Sequence, residues 1–297
     1  MKLEQRALGS PIEVYLDSTN GPASLGITYS QVVGFEVHQD HFASSDFPSP
    51  FPRGFVVHWG SVTGLGQETI YDPSRVSVVG FGLDDLQIYI AWGERLPGSG
   101  GVLVRHSFSS PPDPPTELYA GDILALALDE AYLYWFSSEP FDQFAIQRMP
   151  KGGGAPERLG TSTTLPRRTS TTLPRGLARS LVAHSSALFW APEANYKVGQ
   201  SYVIYSLLAG MQRPFVLADD PNGIAGIAAD SNYVYWASNY TDAGRGRIMR
   251  VRRCGGPPEA VAENQDQPFD VAVDDSAVYW VNLGSQDSGS VMRMAKR

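Results

Sequence analysis

The chain has 297 residues, of which 42% are hydrophobic and 18% charged, with a net charge of −8 and one cysteine, Cys254. This acidic balance argues against general nucleic-acid binding, and a single cysteine excludes a disulfide within the chain. No apolar run reaches the roughly 18 residues of a membrane-spanning helix, and the first residues lack the apolar core of a signal peptide, so a cytoplasmic protein, or the mature form of an exported one, is expected.

A short strand is predicted first, over residues 11–16, before any repeat begins. After it, one pattern occurs six times: a buried strand, a polar turn and a second strand that carries an aromatic pair. The clearest copy has Asp274 at the turn and Tyr279-Trp280 on the second strand. The residues that open the six turns are His38, Asp84, Asp129, His184, Asp230 and Asp274. They recur about every 45 residues, a period typical of propeller blades.

These repeats predict a single all-β domain over residues 1–297, a six-bladed β-propeller with four-stranded antiparallel blades. The blades are predicted over residues 31–71, 78–119, 123–159, 177–217, 224–261 and 268–294. The last blade contains sequence for only three strands. Strand 11–16 is therefore expected to complete it beside residues 291–294, since such pairing covers an open sheet edge.

The spacing between the third and fourth repeats is longer because a Ser/Thr/Pro-rich segment is duplicated there. Residues 161–167 read Thr-Ser-Thr-Thr-Leu-Pro-Arg, and the same sequence returns at 169–175. Such segments bury little apolar surface. The sequence therefore predicts an exposed loop over 161–175.

The repeat resembles that of the six-bladed β-propellers of the YWTD and NHL type, in particular bacterial Tyr-Trp-repeat propellers. The best matches are residues 227–230 with Tyr235-Trp236 and residues 271–274 with Tyr279-Trp280. Similar third-strand segments at 148–153, 250–256 and 293–296 support the resemblance. The resemblance implies the fold but not the activity, because propellers serve as binding modules, lyases, hydrolases and scaffolds alike.

The repeated residues have structural roles in this interpretation. The turn aspartate is expected to accept backbone N–H bonds two residues on. The Tyr and Trp of the second strand are expected to pack between blades. Gly-Gly pairs after the third strand suit the positive φ angles of an outer hairpin.

Small residues dominate two alternating columns of the inner strands, which are therefore predicted to line the central channel. The first column is Gly34, Gly80, Ala125, Ser180, Gly226 and Asp270. The second column is Glu36, Gly82, Ala127, Val182, Ala228 and Ala272. Two acids, Glu36 and Asp270, break this pattern on neighbouring blades of a closed ring. Two such carboxylates would raise one another's pKa or hold a cation, although a solvated or Arg-paired acid is the simpler alternative.

The candidate ligand-binding residues lie at one end of the channel. They are Glu36, Asp270, Asp122, Arg175, Arg179, Ser180 and Asn222. If a metal is present, its ligands are expected to be Glu36, Asp270 and Asp122. The arginines belong to the fourth blade, opposite the first, so the channel mouth would be positive on one side and negative on the other. Because Arg can hold a carboxylate through two hydrogen bonds, this arrangement would orient a dipolar ligand such as a peptide.

No catalytic motif is recognisable. The histidines lack zinc-site spacing, there is no Gly-x-Ser-x-Gly elbow, and Cys254 is predicted in an outer hairpin without an evident base. Two functions remain: a non-catalytic binding platform that presents a propeller face, or a top-face enzyme such as a metal-assisted hydrolase, lyase or isomerase. The expected partner is a peptide, protein or small polar ligand, without nucleic acid or membrane, and the chain is expected to be monomeric. No cofactor is expected, with a divalent cation such as Ca²⁺ in the channel as the alternative.

Overall fold

The structure is a computed structural model that describes residues 12–14, 34–38, 41–46, 56–61, 67–71, 77–84, 86–93, 100–107, 114–139, 143–161, 181–191, 202–211, 213–238, 245–282 and 290–296. Side chains are described from Val79 onward, except at 93, 138–139, 143–144 and 160–161. The Arg-rich part of the predicted channel mouth and the duplicated loop after Thr161 lie outside these residues. Within them, no helix has the length and apolar character needed to cross a membrane.

The described strands form six four-stranded antiparallel sheets, which we number in chain order of their inner strands. Sheet 1 contains β2 (Gly34–His38), β3 (His41–Asp46), β4 (Val56–Ser61) and β5 (Gln67–Tyr71). Sheet 2 contains β6 (Ser77–Leu83), β7 (Gln87–Gly93), β8 (Gly101–Ser107) and β9 (Thr116–Gly121). Sheet 3 contains β10 (Ala125–Leu128), β11 (Tyr132–Glu139), β12 (Gln143–Pro150) and β13 (Glu157–Thr161).

The remaining sheets follow the same order, except that the last one includes the first strand of the chain. Sheet 4 contains β14 (Leu181–His184), β15 (Ala187–Trp190), β16 (Tyr202–Leu207) and β17 (Phe215–Asp220). Sheet 5 contains β18 (Ile224–Ala229), β19 (Tyr233–Ser238), β20 (Gly246–Arg252) and β21 (Glu259–Gln265). Sheet 6 contains β22 (Pro268–Val273), β23 (Ala277–Asn282), β24 (Ser290–Ala295) and β1 (Ile12–Val14).

The inner strands of successive sheets contact one another, and β22 contacts both β18 and β2. Because each sheet is a meander whose first strand lies innermost, this order arranges the sheets radially. The prediction of an all-β propeller with four-stranded antiparallel blades is therefore confirmed. The described strand bounds differ from the predicted ones by a few residues, and the predicted start of the fourth blade at residue 177 lies outside the described residues.

Strand β1 forms the outer edge of sheet 6, as the sequence predicted. It pairs antiparallel with β24 through Ile12–Arg293, Glu13–Met292 and Val14–Val291. This pairing joins the two ends of the chain in one sheet.

We expect removal of residues 1–16 to destabilise the protein because β24 would lose its edge partner. The lost backbone pairing corresponds to roughly 2 kcal/mol, or a melting temperature several degrees lower, measured by calorimetry. A variant that lacks only residues 1–10 keeps β1 and serves as the control. An unchanged melting curve for the longer deletion would show that the pairing contributes nothing.

The hydrophobic core lies between the sheets, where second-strand aromatics pack against the neighbouring sheet. Trp236 of sheet 5 packs with Phe189 of sheet 4, and Trp280 of sheet 6 packs with Tyr235 of sheet 5. Trp236 and Trp280 are both fully buried. Burial of one such side chain stabilises the fold by roughly 2–3 kcal/mol. The predicted core role is confirmed for the Tyr235-Trp236 pair of sheet 5 and for Trp280 of sheet 6.

The small inner-strand residues face the neighbouring sheet, so the prediction that their columns line the channel is wrong for the described glycines. A Cβ atom at Gly80 would lie 2.8 Å from the Cβ of Leu126 on β10, and one at Gly82 would collide with Leu128. A Cβ atom at Gly226 would lie 2.8 Å from the Cα of Asp270 on β22. Glycine is thus required for close packing of inner strands, since the two faces of a radial sheet point at its neighbours.

The turn aspartates, which are Asp84, Asp129, Asp230 and Asp274, make the same set of hydrogen bonds. In each, Oδ1 accepts the backbone N–H groups two and three residues on, at 2.7–3.1 Å. Their Oδ2 atoms accept the hydroxyl of the second-strand tyrosine at 2.8–3.1 Å. The predicted turn role of these residues is confirmed, and the tyrosine hydroxyl is part of it.

Contacts from the following sheet reach the turns of sheets 2, 3, 4 and 5, and we call these four contacts the linking contacts. They are Lys151 Nζ to Asp84 at 3.3 Å, the Ser186 N–H to Asp129 at 2.9 Å, Arg253 Nη2 to the His184 carbonyl at 2.9 Å, and Lys296 Nζ to Asp230 at 2.7 Å. The turns at Asp84, Asp129 and Asp230 are therefore held by their own sheet and by the next one, and the turn at His184 also receives a contact from the next sheet.

The turn aspartates make the free energy of unfolding depend on pH in the acidic range. Burial alone would raise the pKa of the Asp129 carboxyl, but its four hydrogen bonds together outweigh burial and hold the pKa below its usual value. A carboxylate with a depressed pKa stabilises the folded state above its unfolded pKa, and this stabilisation is lost as the pH falls. We therefore expect the free energy of unfolding to fall as the pH decreases below about 4.

The test is denaturant unfolding between neutral and acidic pH for the natural protein and for Asp129→Asn. The amide cannot titrate, so the difference in stability between the two proteins should shrink toward low pH. A difference that stays constant across this range would contradict the proposed origin of the acid sensitivity.

Candidate functional site

The predicted site residues are only partly described. Arg175, Arg179 and Ser180 lie outside the described residues, so the positive side of the predicted mouth stays a prediction. Glu36 lies on β2, opposite Ala43 in the backbone register, and its side chain is not among those described. Asp122, Asn222 and Asp270 can be placed.

Asp270 is a buried carboxylate at the boundary of sheets 5 and 6. It lies on β22 beside a register irregularity between Pro268 and Asp270, and it is 5% exposed. Its Oδ1 accepts the N–H of Val271 at 3.0 Å and lies against Gly226 of β18. The absence of a side chain at Gly226 therefore makes room for the carboxylate that Asp270 introduces at a position of small residues.

Asn222 precedes sheet 5 and belongs to a bond system centred on Asp220. The Asn222 N–H donates to Asp220 Oδ1 at 2.8 Å, and the Trp236 indole N–H donates to Asp220 Oδ2 at 2.8 Å. Asp220 is 4% exposed. This carboxylate thus fastens the outer strand of sheet 4 to the second strand of sheet 5, which is a structural role.

Gln265 has the equivalent position between sheets 5 and 6, but a buried oxygen beside it lacks a hydrogen-bond donor among the described residues. Its Oε1 accepts the Trp280 indole N–H at 2.8 Å and an Asn282 Nδ2 hydrogen at 3.2 Å. Its own Nε2 donates to the Glu263 carbonyl at 2.8 Å. Asn282 is 6% exposed, and within the described ranges its Oδ1 has no hydrogen-bond partner. An unpaired buried acceptor costs roughly 1–3 kcal/mol, so this oxygen is a natural point for a donor to bind.

The backbone around Gln265 is strained. Asn264 and Gln267 have φ angles of 57° and 55°, in the left-handed region that residues with a Cβ rarely adopt. Asparagine tolerates this region better than glutamine does. Such strain is often found at binding sites. Here the two strained residues flank Gln265, which accepts a hydrogen bond from Asn282.

Asp122 lies on a different side of the molecule from Asp270. It precedes β10 of sheet 3, whose inner strand contacts β6 and β14, whereas β22 contacts β18 and β2. Burial raises the pKa of the Tyr119 hydroxyl, and the Asp122 charge raises it further. Asp122 and Asp270 are therefore not brought together on neighbouring sheets.

We call Gln265, Asp270 and Asn282, together with the strained segment 264–267, the sheet 5–6 rim. Asp270 and Asn282 lie on adjacent strands, since Asn282 pairs with Pro268 and Val281 with Asp270. Both side chains face sheet 5: Asp270 lies against Gly226, and Asn282 donates a hydrogen bond to Gln265. Their oxygens offer hydrogen-bond acceptors to N–H groups or to an ammonium ion. In the described part of the chain, no three His, Cys, Asp or Glu side chains are close enough to hold a metal ion.

Asp220 and Gln265 were missed by the sequence reasoning, which ended their blades earlier, at 217 and 261. A signal for both was present. Each residue is a polar side chain located 16 or 15 positions before a second-strand tryptophan. Because a buried indole N–H needs an acceptor, such a spacing indicates the acceptor.

Comparisons with known proteins are limited to the fold. No family model matches the sequence, and no curated protein matches it. Among solved structures, the β-propeller domain of the Trilobed protease from Pyrococcus furiosus is 7% identical, with a TM-score of 0.57 over 89% of this chain and 95% of that one. A chain of the nidogen/laminin complex is 18% identical, with a TM-score of 0.51 over 84% of both chains.

A putative TolB from Agrobacterium tumefaciens is also similar, at 16% identity and a TM-score of 0.52, over 77% of this chain and 80% of that one. At identities this low, a shared activity does not follow from the likeness. The chain is thus a β-propeller protein, and the similarities reach no further than this fold.

Proposed function

We propose that this protein is a non-catalytic binding platform that holds a peptide or a peptide-like segment of a protein at the sheet 5–6 rim. The observation that carries the proposal is the Oδ1 atom of Asn282, which is buried and has no hydrogen-bond partner among the residues that the structure describes. A backbone N–H of a bound peptide would pair with this oxygen. The Asp270 carboxylate, on the adjacent strand, would place a negative charge beside the bound segment.

The platform in this proposal is one domain of residues 1–297, a closed ring of six blades of the Tyr-Trp-repeat type. Its support is the set of six four-stranded sheets and the contact of β22 with β2. A closed ring gives a rigid support for the rim, because binding residues are held more precisely on strands than on loops.

The test is selection of linear peptides from a displayed random library on the immobilised protein, followed by affinity measurements with two variants. Asn282→Leu keeps the side-chain volume but removes the acceptor, and Asp270→Asn removes the charge. Loss of one buried hydrogen bond corresponds to about tenfold weaker binding. We expect at least this loss for the selected peptides with each variant.

Ser137→Ala is the matched control, because Ser137 lies on the second strand of sheet 3 at the position equivalent to Asn282. It accepts a bond from Gln147 Nε2 at 3.4 Å, so its replacement also removes a buried acceptor. Peptides that bind all three variants equally well would place the binding site elsewhere. Failure to select any peptide would contradict the function itself.

The metal-assisted enzyme is not supported by a particular observation. Its proposed ligands were Glu36, Asp270 and Asp122, and the last two belong to sheets that are not neighbours. The binding platform is therefore the function proposed.

A further inference from the structure

Sheet 5 carries an arginine at a position where other sheets carry no charge. Arg247 of β20 lies directly opposite Ser238 of β19 in the backbone register, and Ser238 is two residues beyond the second-strand tryptophan. The residues at the matching position of sheets 2, 3 and 6 are Val102, Ala145 and Ser290. The propeller repeat therefore does not require a charge here, and Arg247 needs another explanation.

The side chains of Ser238 and Arg247 both face sheet 4. Two residues further along both strands, the Trp236–Met249 pair packs against residues of sheet 4, whereas the pair between them packs against sheet 6. Side chains alternate along a strand, and the register of β19 with β20 is unbroken through Ser238 and Arg247. The two side chains therefore lie on the same face as Trp236.

The polar groups of this pair lack partners. Ser238 is 1% exposed, and its Oγ has no hydrogen-bond partner in the described part of the chain. Arg247 is half-buried, and it makes no hydrogen bond, ion pair or ring contact with any residue that the structure describes. A hydroxyl and a guanidinium both carry N–H or O–H donors. The pair thus presents donors that the chain itself does not use.

Asp220 lies at the same boundary of sheets 4 and 5 but does not neutralise Arg247. Its two oxygens accept the Asn222 N–H and the Trp236 indole N–H, both at 2.8 Å. Among the described residues, it forms no ion pair with Arg247. The guanidinium is therefore left for an acceptor from outside the chain.

A carboxylate fits these donors. An arginine can hold a carboxylate through two parallel hydrogen bonds, and the hydroxyl of Ser238 can donate a further one. A phosphate group could also pair with Arg247, but it carries roughly twice the charge of a carboxylate. The Asp220 carboxylate at the same boundary would oppose the larger charge more strongly.

This donor pair lies one sheet away from the sheet 5–6 rim. Ser238 and Asn282 are the last residues of the second strands of sheets 5 and 6, so they lie at the same end of the propeller. Packed sheets are about 10 Å apart, and an extended chain advances about 3.3 Å per residue. A segment of about three residues is therefore long enough to reach from one to the other.

We propose that Arg247 and Ser238 form a carboxylate-binding subsite for the segment that is held at the sheet 5–6 rim. The carboxylate belongs to an acidic side chain of this segment or to its C-terminus. The inference rests on the proposed function and adds a chemical group that the ligand must carry. It also gives the segment a direction, with its carboxylate beside Arg247 and an N–H group beside Asn282.

The first experiment uses a small carboxylate, N-acetylglycine, with the full chain. The arginine side-chain Nε–Hε groups are observed by NMR, and the signal that is missing in Arg247→Lys belongs to Arg247. This signal should move to a saturating value with N-acetylglycine but not with N-acetylglycinamide, which lacks the charge. The signal of Arg252, at the other end of β20, should stay in place. A signal of Arg247 that does not saturate, or that moves equally with the amide, overturns the proposal.

The second experiment measures the affinity for N-acetylglycine in variants. Arg247→Gln should weaken binding at least about tenfold, and Ser238→Ala about fivefold. Arg252→Gln is the matched control and should leave the affinity unchanged. Because Ser238→Ala removes a buried hydroxyl without a described partner, its melting temperature should not fall, which separates loss of binding from loss of stability. An unchanged affinity in Arg247→Gln overturns the subsite.

The peptides selected for the proposed function identify the source of the carboxylate. Alanine at each acidic position tests the side chains, and a C-terminal amide tests the terminus. One of these changes should weaken binding to the natural protein about tenfold but cause no further loss with Arg247→Gln. Peptides that need Asn282 but bind Arg247→Gln as tightly as the natural protein would overturn the subsite and leave the proposed function standing. If no peptide is selected, the proposed function fails, and the N-acetylglycine titration still decides whether the subsite exists.

Discussion

Replacement of Asp129 by alanine is expected to lower the free energy of unfolding by about 4 kcal/mol. This carboxylate is 7% exposed and accepts bonds from the Ala131 and Tyr132 N–H groups, the Tyr134 hydroxyl and the Ser186 N–H, at 2.8–2.9 Å. Alanine would leave these donors without their acceptor. Two of them, the Tyr134 hydroxyl and the Ser186 N–H, contribute to the boundary between sheets 3 and 4.

The measurement is equilibrium unfolding in denaturant. Asp84→Ala is the matched control, because Asp84 makes the same turn bonds but its side chain is 23% exposed. Water can then replace part of the lost bonds, so a smaller loss of stability is expected. Equal losses for the two variants would mean that burial of the turn aspartate does not set its contribution.

Replacement of Gly226 by alanine is expected to destabilise the protein by about 3 kcal/mol, at the upper end of the usual cost of overpacking. The new Cβ would lie 2.8 Å from the Cα of Asp270 and would collide with its carboxylate. Backbone atoms of a packed inner strand cannot move aside as a flexible side chain can. The two sheets would have to separate locally.

Gly152→Ala provides the control for this change, because no atom lies within 4 Å of a Cβ at that position. We expect it to be neutral or slightly stabilising, since alanine restricts the unfolded chain. If Gly226→Ala were as stable as Gly152→Ala in the same unfolding experiment, the close packing of β18 and β22 would not limit stability. Such a result would also remove the explanation given for the glycine at this position.

The repeat pattern was sufficient to predict the strands, their order and the pairing of the first strand with the last. These features depend on alternation and on turn residues such as Asp274, which act locally. The direction of the inner-strand columns was predicted wrongly. Alternation separates two faces of a strand, but small residues such as Gly80 suit a crowded axis and a close neighbouring strand equally well.

The candidate site was predictable only in part. Asp270 was identified because a carboxylate replaces a small residue in the repeat. The unpaired oxygen of Asn282 was not predictable. It depends on which end of the Asn282 side-chain amide binds Gln265, and on the irregular backbone at Gln267. These are properties of side-chain orientation and of loop geometry, which a residue pattern does not contain.

The linking contacts have a consequence for synthesis of the chain on the ribosome. The turn of sheet 2 receives Lys151 from sheet 3, and the turn of sheet 5 receives Lys296 from sheet 6. Each of these two sheets therefore gains the contact at its turn only after the following sheet has been translated. The strand β1 precedes all the other described strands but pairs with β24, the last of them, so it can find its partner only after β24 has been translated. We expect each of these sheets to reach its full stability only after the next sheet has been synthesised. We expect β1 to be the last of the described strands to pair.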